Sequence, residues 1–313
     1  MNRISSAMRL IFIATGDIAL PAFRQLIECG PKPLALVTQP DKPVGRKQEM
    51  TPPAIKSLAL AAGIPVLQPE VIGDAAAELA AMEPDVIAVM AYGQILRENV
   101  LGLASKAIIN LHASLLPKYR GAACIQAAID AGDVESGITV QHVVKKLDAG
   151  DLILTKRLAI AADETGGTLH DRLADLAVLA LREALELLES GEVGRVPQEE
   201  AASSYIGKLG REDGRIDWSM GAERLERRIR AFDPWPGTYT TVREGERECR
   251  IKIFPPTHVV AADLLPGEVK RDGVRLIVGT AEGGLELFQL QPEGSRRMAV
   301  EEYLRGKLPE RMS

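Results

Sequence analysis

The chain has 313 residues, 46% hydrophobic and 26% charged, with a net charge of −5, which is ordinary globular usage with length enough for two cores. A charge of that sign excludes a polycation that holds nucleic acid by bulk attraction, so any RNA contact has to be local. Its three cysteines (Cys29, Cys124 and Cys249) form neither a CxxC pair nor a zinc spacing, and no apolar run reaches the roughly 18–20 residues of a membrane helix, so a reducing cytoplasm is expected, with no metal and no membrane.

In chain order, "RLIFIAT" (9–15) is too short for a secretory leader and predicts a buried strand. A turn at Gly16-Asp17 leads into a helix ending near Cys29, with Pro21 suited to its first turn and Gly30 to its cap. "PLALVTQ" (33–39) predicts a second strand. The loop 38–53 has no periodicity, and long loops of that kind are often functional; its Arg46 and Lys47 are candidates to meet a phosphate. A helix at 54–62, closed by Gly63, precedes two continuous apolar runs, "DVIAVMAYG" (85–93) and "KAIINLHA" (106–113). Such runs alternating with helices predict an α/β doubly wound, mostly parallel sheet covered on both faces. A small-residue helix (121–132), two antiparallel strands (137–144 and 151–160) and a long helix (167–189) follow.

The stretch 190–204 is polar, with Gly, Pro and Ser, and reads as a linker. The expected division is therefore a domain over 1–190, a linker over 191–204 and a second domain over 205–313. The second begins with an amphipathic helix in "RIDWSMGAERLERRIRAF" and continues as short strands with turn signals, the spacing of a small β-barrel. Residues 205–313 carry 19 Lys/Arg against 18 Asp/Glu, leaving 19 against 25 before them. Arg224, Arg227, Arg228 and Arg230 lie within two helical turns and are a basic cluster.

The polar residues that end the run 106–113 carry the chemistry. Side chains alternate along a strand, so Asn110 and His112 share a face. At the carboxyl edge of a parallel sheet, that face is the ligand crevice. An amide can donate to a developing oxyanion, and an imidazole can move a proton near neutral pH or stabilise the same charge. The nucleophile would come from a substrate, because no serine or cysteine sits in a nucleophile elbow. The competing reading is a histidine bonded to a strand-end carbonyl. In "KKLDAGDL" (145–152), Asp148 and Asp151 are ordinary turn residues, yet a carboxylate facing the histidine would fix its tautomer. The first turn, "ATGDIA", lacks the GxGxxG fingerprint of a nicotinamide site.

"INLHASLLPKYRGAACIQAAIDAGDVESGITV" followed by "LDAGDLI" resembles the folate-dependent formyltransferases, and "TQPDKPVGR", "PDVIAVMAYGQIL" and "RIRAFDPWPGTY" extend the likeness along nearly the whole chain. The resemblance implies a formyltransferase-type Rossmann-like domain followed by an OB-like barrel, with 10-formyltetrahydrofolate as co-substrate. Within the family it is nearest to members acting on methionyl initiator tRNA in translation initiation, which implies that partner and a cytoplasmic monomer. Asn110, His112 and Asp148 fall on the family's catalytic positions. Ser114, Leu115, Leu116 and Pro117 fall on its folate segment, and Arg46, with Lys47 beside it, on its tRNA loop. Departures are Ala14 and Gly16 in the first turn, Cys124 in place of a proline, and Gln48 and Glu49 where lysines are usual. An amino-sugar nucleotide or another small amine stays open as the acceptor, as does a silent folate- or RNA-binding protein.

Overall fold

The first apolar run forms β1 (Leu10–Ala14), all five residues of it buried. In this computed structural model, which describes residues 8–45, 48–244, 247–306, 309 and 311–313, there follow α1 (Leu20–Cys29), β2 (Ala35–Val37), β3 (Lys42–Val44), β4 (Glu49–Thr51), α2 (Ala54–Ala61), β5 (Val66–Leu67), α3 (Ala76–Ala81), β6 (Val86–Met90), α4 (Glu98–Leu101) and β7 (Ala107–His112). Then come β8 (Arg120–Gly121), α5 (Cys124–Ala131), β9 (Glu135–His142), β10 (Leu152–Ala159), α6 (Gly166–Ser190) and β11 (Tyr205–Ile206). The remainder is α7 (Ala222–Ala231), β12 (Thr238–Glu244), β13 (Arg247–Val260), β14 (Val269–Asp272), β15 (Arg275–Gly279), β16 (Gly284–Pro292), β17 (Met298–Ala299) and α8 (Val300–Tyr303).

By contacts the chain groups into two units. The first comprises residues 1–121, 136–158 and 170–205; the second comprises 122–135, 159–169 and 206–313. The first is built on a seven-stranded sheet in the order β10-β9-β7-β6-β1-β2-β5. From β5 to β7 every pairing is parallel. The mostly parallel sheet expected from the apolar runs is therefore present. The β7–β9 pairing is antiparallel, with Asn110 opposite Gln141 and His112 opposite Thr139. β10 continues that sense: the His142 N–H donates to the Asp151 carbonyl and the Ile160 N–H to the Val134 carbonyl. On one face Ile11, Ile13, Ile87, Val89 and Ile108 pack against Ile72, Leu79 and Val100. Burying each such side chain contributes about 1.5–3 kcal/mol, which holds the strand ends in fixed register. The loop 38–53 contains the β3–β4 hairpin. Arg46 and Lys47 lie outside the described residues.

In the second unit every strand pairing among β12–β17 is antiparallel, in the order β12-β13-β16-β15-β14 with β17 on β16. This is an all-β half-barrel. Its open side is bridged by residues 311–313: Met312 pairs with Val242 of β12, and Arg311 with Glu268 just before β14. Met312 is 1% exposed, in a core with Ile229, Ile253, Leu276 and Leu287. "RIKIF" and "HVV", expected as separate strands, are one strand, β13. Its register against β16 shifts between Phe254 and Thr257, so Pro255 and Pro256 fall in the bulge and need donate nothing. α7 is shorter than expected because Asp217 accepts from the N–H and hydroxyl of Ser219, making a local turn ahead of the helix. Of the clustered arginines, Arg227 donates to the Asp130 carbonyl, and Arg228 to the Asp130 carboxylate and the Asp213 carbonyl. Arg230 donates to Glu226 and the Glu164 carbonyl. Three of the four thus brace the second unit instead of standing free as a basic cluster. Among the described residues, no helix is long and apolar enough to cross a membrane.

Candidate active site

β7 delivers Asn110 and His112 to the carboxyl edge of the parallel sheet, in the row that ends β1 and β6. Asp148 comes from the turn between β9 and β10, where it takes a left-handed backbone with φ of 47°. The turn closes so tightly that a Cβ on Gly150 would lie 1.7 Å from the His142 carbonyl oxygen. Glycine is therefore required two residues after the aspartate.

The three residues expected to act together do converge. Asp148 Oδ1 accepts from Asn110 Nδ2 at 3.2 Å, and also from Gln141 Nε2 at 3.1 Å. Its Oδ2 accepts the Gly121 N–H at 2.9 Å and faces His112 Nδ1 at 3.7 Å. The His112 and Asp148 side chains are 7% and 10% exposed, so little water competes for these bonds. His112 Nε2 lies 2.8 Å from the Tyr119 carbonyl, to which it donates. That satisfies the bland expectation of a histidine bonded to backbone, but the carboxylate opposite Nδ1 gives the ring a second partner. With Nε2 committed to that carbonyl, Nδ1 is the nitrogen left to face Asp148. One Asn110 N–H is held by Asp148, which sets the plane of the amide and the direction of its second N–H.

The segment Ser114–Pro117 follows directly. The Ser114 hydroxyl donates to the Lys118 carbonyl at 2.6 Å. Thr139, opposite His112, donates to the Ser114 carbonyl at 2.6 Å and accepts the Leu116 N–H at 3.2 Å. Leu116 is buried, while Leu115 and Pro117 are half-buried. Ser114 therefore staples this turn rather than presenting a hydroxyl. Close to the same edge, the Tyr92 hydroxyl and Gln39 Nε2 are buried with no hydrogen-bond partner among the described residues. Burial pushes the Tyr92 hydroxyl pKa up to about 12.

Three residues escaped the sequence reading. Gln141 had a signal, since alternation along β9 puts it on the face of Thr139. Arg120 and Gln198 had none. Arg120 is fully buried, and its guanidinium donates to Gln198, Glu200 and Tyr205. Burial opposes that charge, but the bonds to Tyr205 and Glu200 outweigh it and hold its pKa above the ordinary value. Backbone and side-chain bonds tie residues 196–204 to the site. Val196 and Leu152 exchange backbone bonds at 2.8 and 3.1 Å, and the Ser204 carbonyl and hydroxyl accept from Arg120 and Tyr119.

Residues 8–185 match the family model described as formyl transferase, and residues 208–308 match the formyl transferase C-terminal domain. The methionyl-tRNA formyltransferase of Akkermansia muciniphila is 48% identical over 304 residues, covering 96% of each chain. That of Moorella thermoacetica is 40% identical over 306 residues, again covering 96% of each. Among solved structures, the N-formyltransferase from Helicobacter canadensis, in complex with folinic acid and dTDP-3-aminofucose, superposes with a TM-score of 0.67 at 16% identity, covering 93% of this chain and 100% of that one. HypX from Aquifex aeolicus, in complex with tetrahydrofolic acid, gives 0.60 at 19% identity over 95% of this chain; the chain spans 47% of HypX. At these identities the structural likeness speaks to the fold.

Proposed function

The chain belongs to the formyl transferase family, and from that premise we propose that it moves the formyl group of 10-formyltetrahydrofolate onto the α-amino group of methionyl initiator tRNA, as a cytoplasmic monomer working through Asn110, His112 and Asp148. The observation that carries the roles is the convergence of an amide, an imidazole and a backbone N–H on the one carboxylate of Asp148. The residues at the carboxyl edge fit a folate: half-buried Leu115 and Pro117 offer apolar surface, and the Tyr92 hydroxyl and Gln39 amide are buried polar atoms with no partner among the described residues. When bound, 10-formyltetrahydrofolate supplies the formyl carbon that the neutral amine attacks.

Asn110 donates its second N–H to the formyl oxygen as that oxygen gains charge; losing one such donor costs about 10²–10³ in turnover. His112, protonated on Nδ1 toward Asp148 and held by Tyr119 through Nε2, lends positive charge beside the same oxygen; the proton that the attacking amine sheds is the one the departing nitrogen takes up, so the transfer needs no net proton. Asp148 holds both groups in place. Arg46 and Lys47 are proposed to meet the tRNA phosphates, and Ser114–Pro117 to wall the folate. Residues 1–190 are proposed as the catalytic part and 205–313 as the tRNA-holding part.

An acceptor panel tests this reading. With one labelled formyl donor, methionyl-tRNA, free methionine and an amino-sugar nucleotide are compared. Label on methionyl-tRNA alone is the expected result. Preference for the sugar nucleotide would move the chain to the other acceptor class of the family.

A further inference from the structure

We propose that Gln198 is a positioning residue that sets the catalytic geometry of Asp148. This rests on the reading of Asp148 given above. The amide of Gln198 points its nitrogen into the turn between β9 and β10. Nε2 lies 2.9 Å from the Asp148 carbonyl, 2.8 Å from the Gly150 carbonyl and 3.1 Å from Gln141 Oε1. Two N–H bonds serve three acceptors, so this nitrogen is saturated and its position is fixed. Gln141 carries the link onward, because its own Nε2 donates to Asp148 Oδ1 at 3.1 Å. Gln198 thus grips Asp148 twice: through the main chain directly, and through the carboxylate by way of Gln141.

What fixes Gln198 is Arg120. Its Nε and Nη2 donate to Gln198 Oε1 at 3.1 and 2.9 Å, a two-pronged contact that leaves the amide one orientation. The third nitrogen, Nη1, is held by Glu200 at 2.9 Å and Tyr205 at 2.7 Å, and the guanidinium lies 5.4 Å from the Tyr205 ring centre. Arg120 also precedes Gly121, whose N–H donates to Asp148 Oδ2. One buried cation therefore reaches the carboxylate from both sides: through Gln198 and Gln141 on Oδ1, and through the Gly121 backbone on Oδ2.

The backbone gives this network something to resist. Asp148 sits at φ of 47° and Tyr119, whose carbonyl holds His112, at 59°. A non-glycine residue in the left-handed region persists when its surroundings over-determine it. Without the two carbonyl contacts from Gln198, the turn can relax, and Asp148 moves off Asn110 and His112. A displacement of about 1 Å costs up to roughly 10² in rate.

The test is a double-mutant cycle of Gln198→Ala and Asp148→Ala on the full chain, read as kcat, as KM for 10-formyltetrahydrofolate and methionyl-tRNA, and by thermal melting. Gln198→Ala should lower kcat about 10- to 100-fold, with both KM values within about twofold. On the Asp148→Ala background the same change should cost less than about twofold, because its target is already gone. Gln198→Glu keeps the oxygen for Arg120 but sets a second oxygen against two carbonyls. It should lose kcat at least as severely, and it decides the matter if the alanine variant does not fold. Losses that multiply, or an unchanged kcat in either Gln198 variant, overturn the proposal while Asp148 stays catalytic. A near-normal rate for Asp148→Ala overturns the reading of Asp148, and this proposal with it.

Discussion

Three N–H groups and an imidazole meet at the carboxylate of Asp148, so each substitution around it has a distinct expected effect. Asn110→Ala removes the proposed oxyanion donor and should lower kcat about 10²–10³-fold with folate affinity retained; equilibrium binding of the donor beside steady-state turnover checks this. Gly150→Ala should act on the fold instead. Its Cβ would sit 1.7 Å from the His142 carbonyl oxygen, where nothing can move without opening the β9–β10 turn. A loss of at least about 2 kcal/mol is expected, read as a fall in the chemical-denaturation midpoint. At this scale the sequence was partly legible. Period-two alternation paired Asn110 with His112, and Asp148 fell in a recognisable turn. Gln198 left no local trace, since it sits in a polar stretch and its partners include carbonyls about fifty residues earlier.

Among the elements, legibility followed burial. β1 and β6 are buried along their whole length and read as continuous apolar runs. The segment 196–205 hides because its work is polar: it holds the Asp148 turn and the 117–121 loop by hydrogen bonds rather than by an apolar stripe. β13 was read as two strands because a Pro-Pro pair ordinarily ends one, and a bulge absorbs it here. Residues 311–313 were silent for a different reason: their two isolated bridges, at Arg311 and Met312, are too short to leave a pattern. Their weight is nonetheless testable. Met312→Ala removes a side chain 1% exposed in the half-barrel core and should destabilise the second unit by about 2–5 kcal/mol. Calorimetry should show a lowered transition for that variant, with residual activity tracking the folded fraction.

For the molecule as a whole, acid stability has a specific weak point. His142 is buried beside Arg195, and both burial and that cation hold its pKa below the ordinary 6.5. The unfolded chain takes up a proton as pH falls through about 6.5, while the folded state resists it. Stability is therefore unaffected above that pH and lost as pH falls below it. His142→Gln should flatten the decline of the denaturation midpoint between pH 7 and pH 5. The Asp148-centred cluster is proposed to transfer a formyl group to methionyl-tRNA. Single-turnover transfer of a labelled formyl group, comparing the wild-type chain with Asp148→Ala at saturating donor, tests it most directly. Label is expected on the methionyl α-amine, at a rate at least about 10²-fold lower for the variant. Equal rates in the two proteins, or no label on the tRNA, would contradict it.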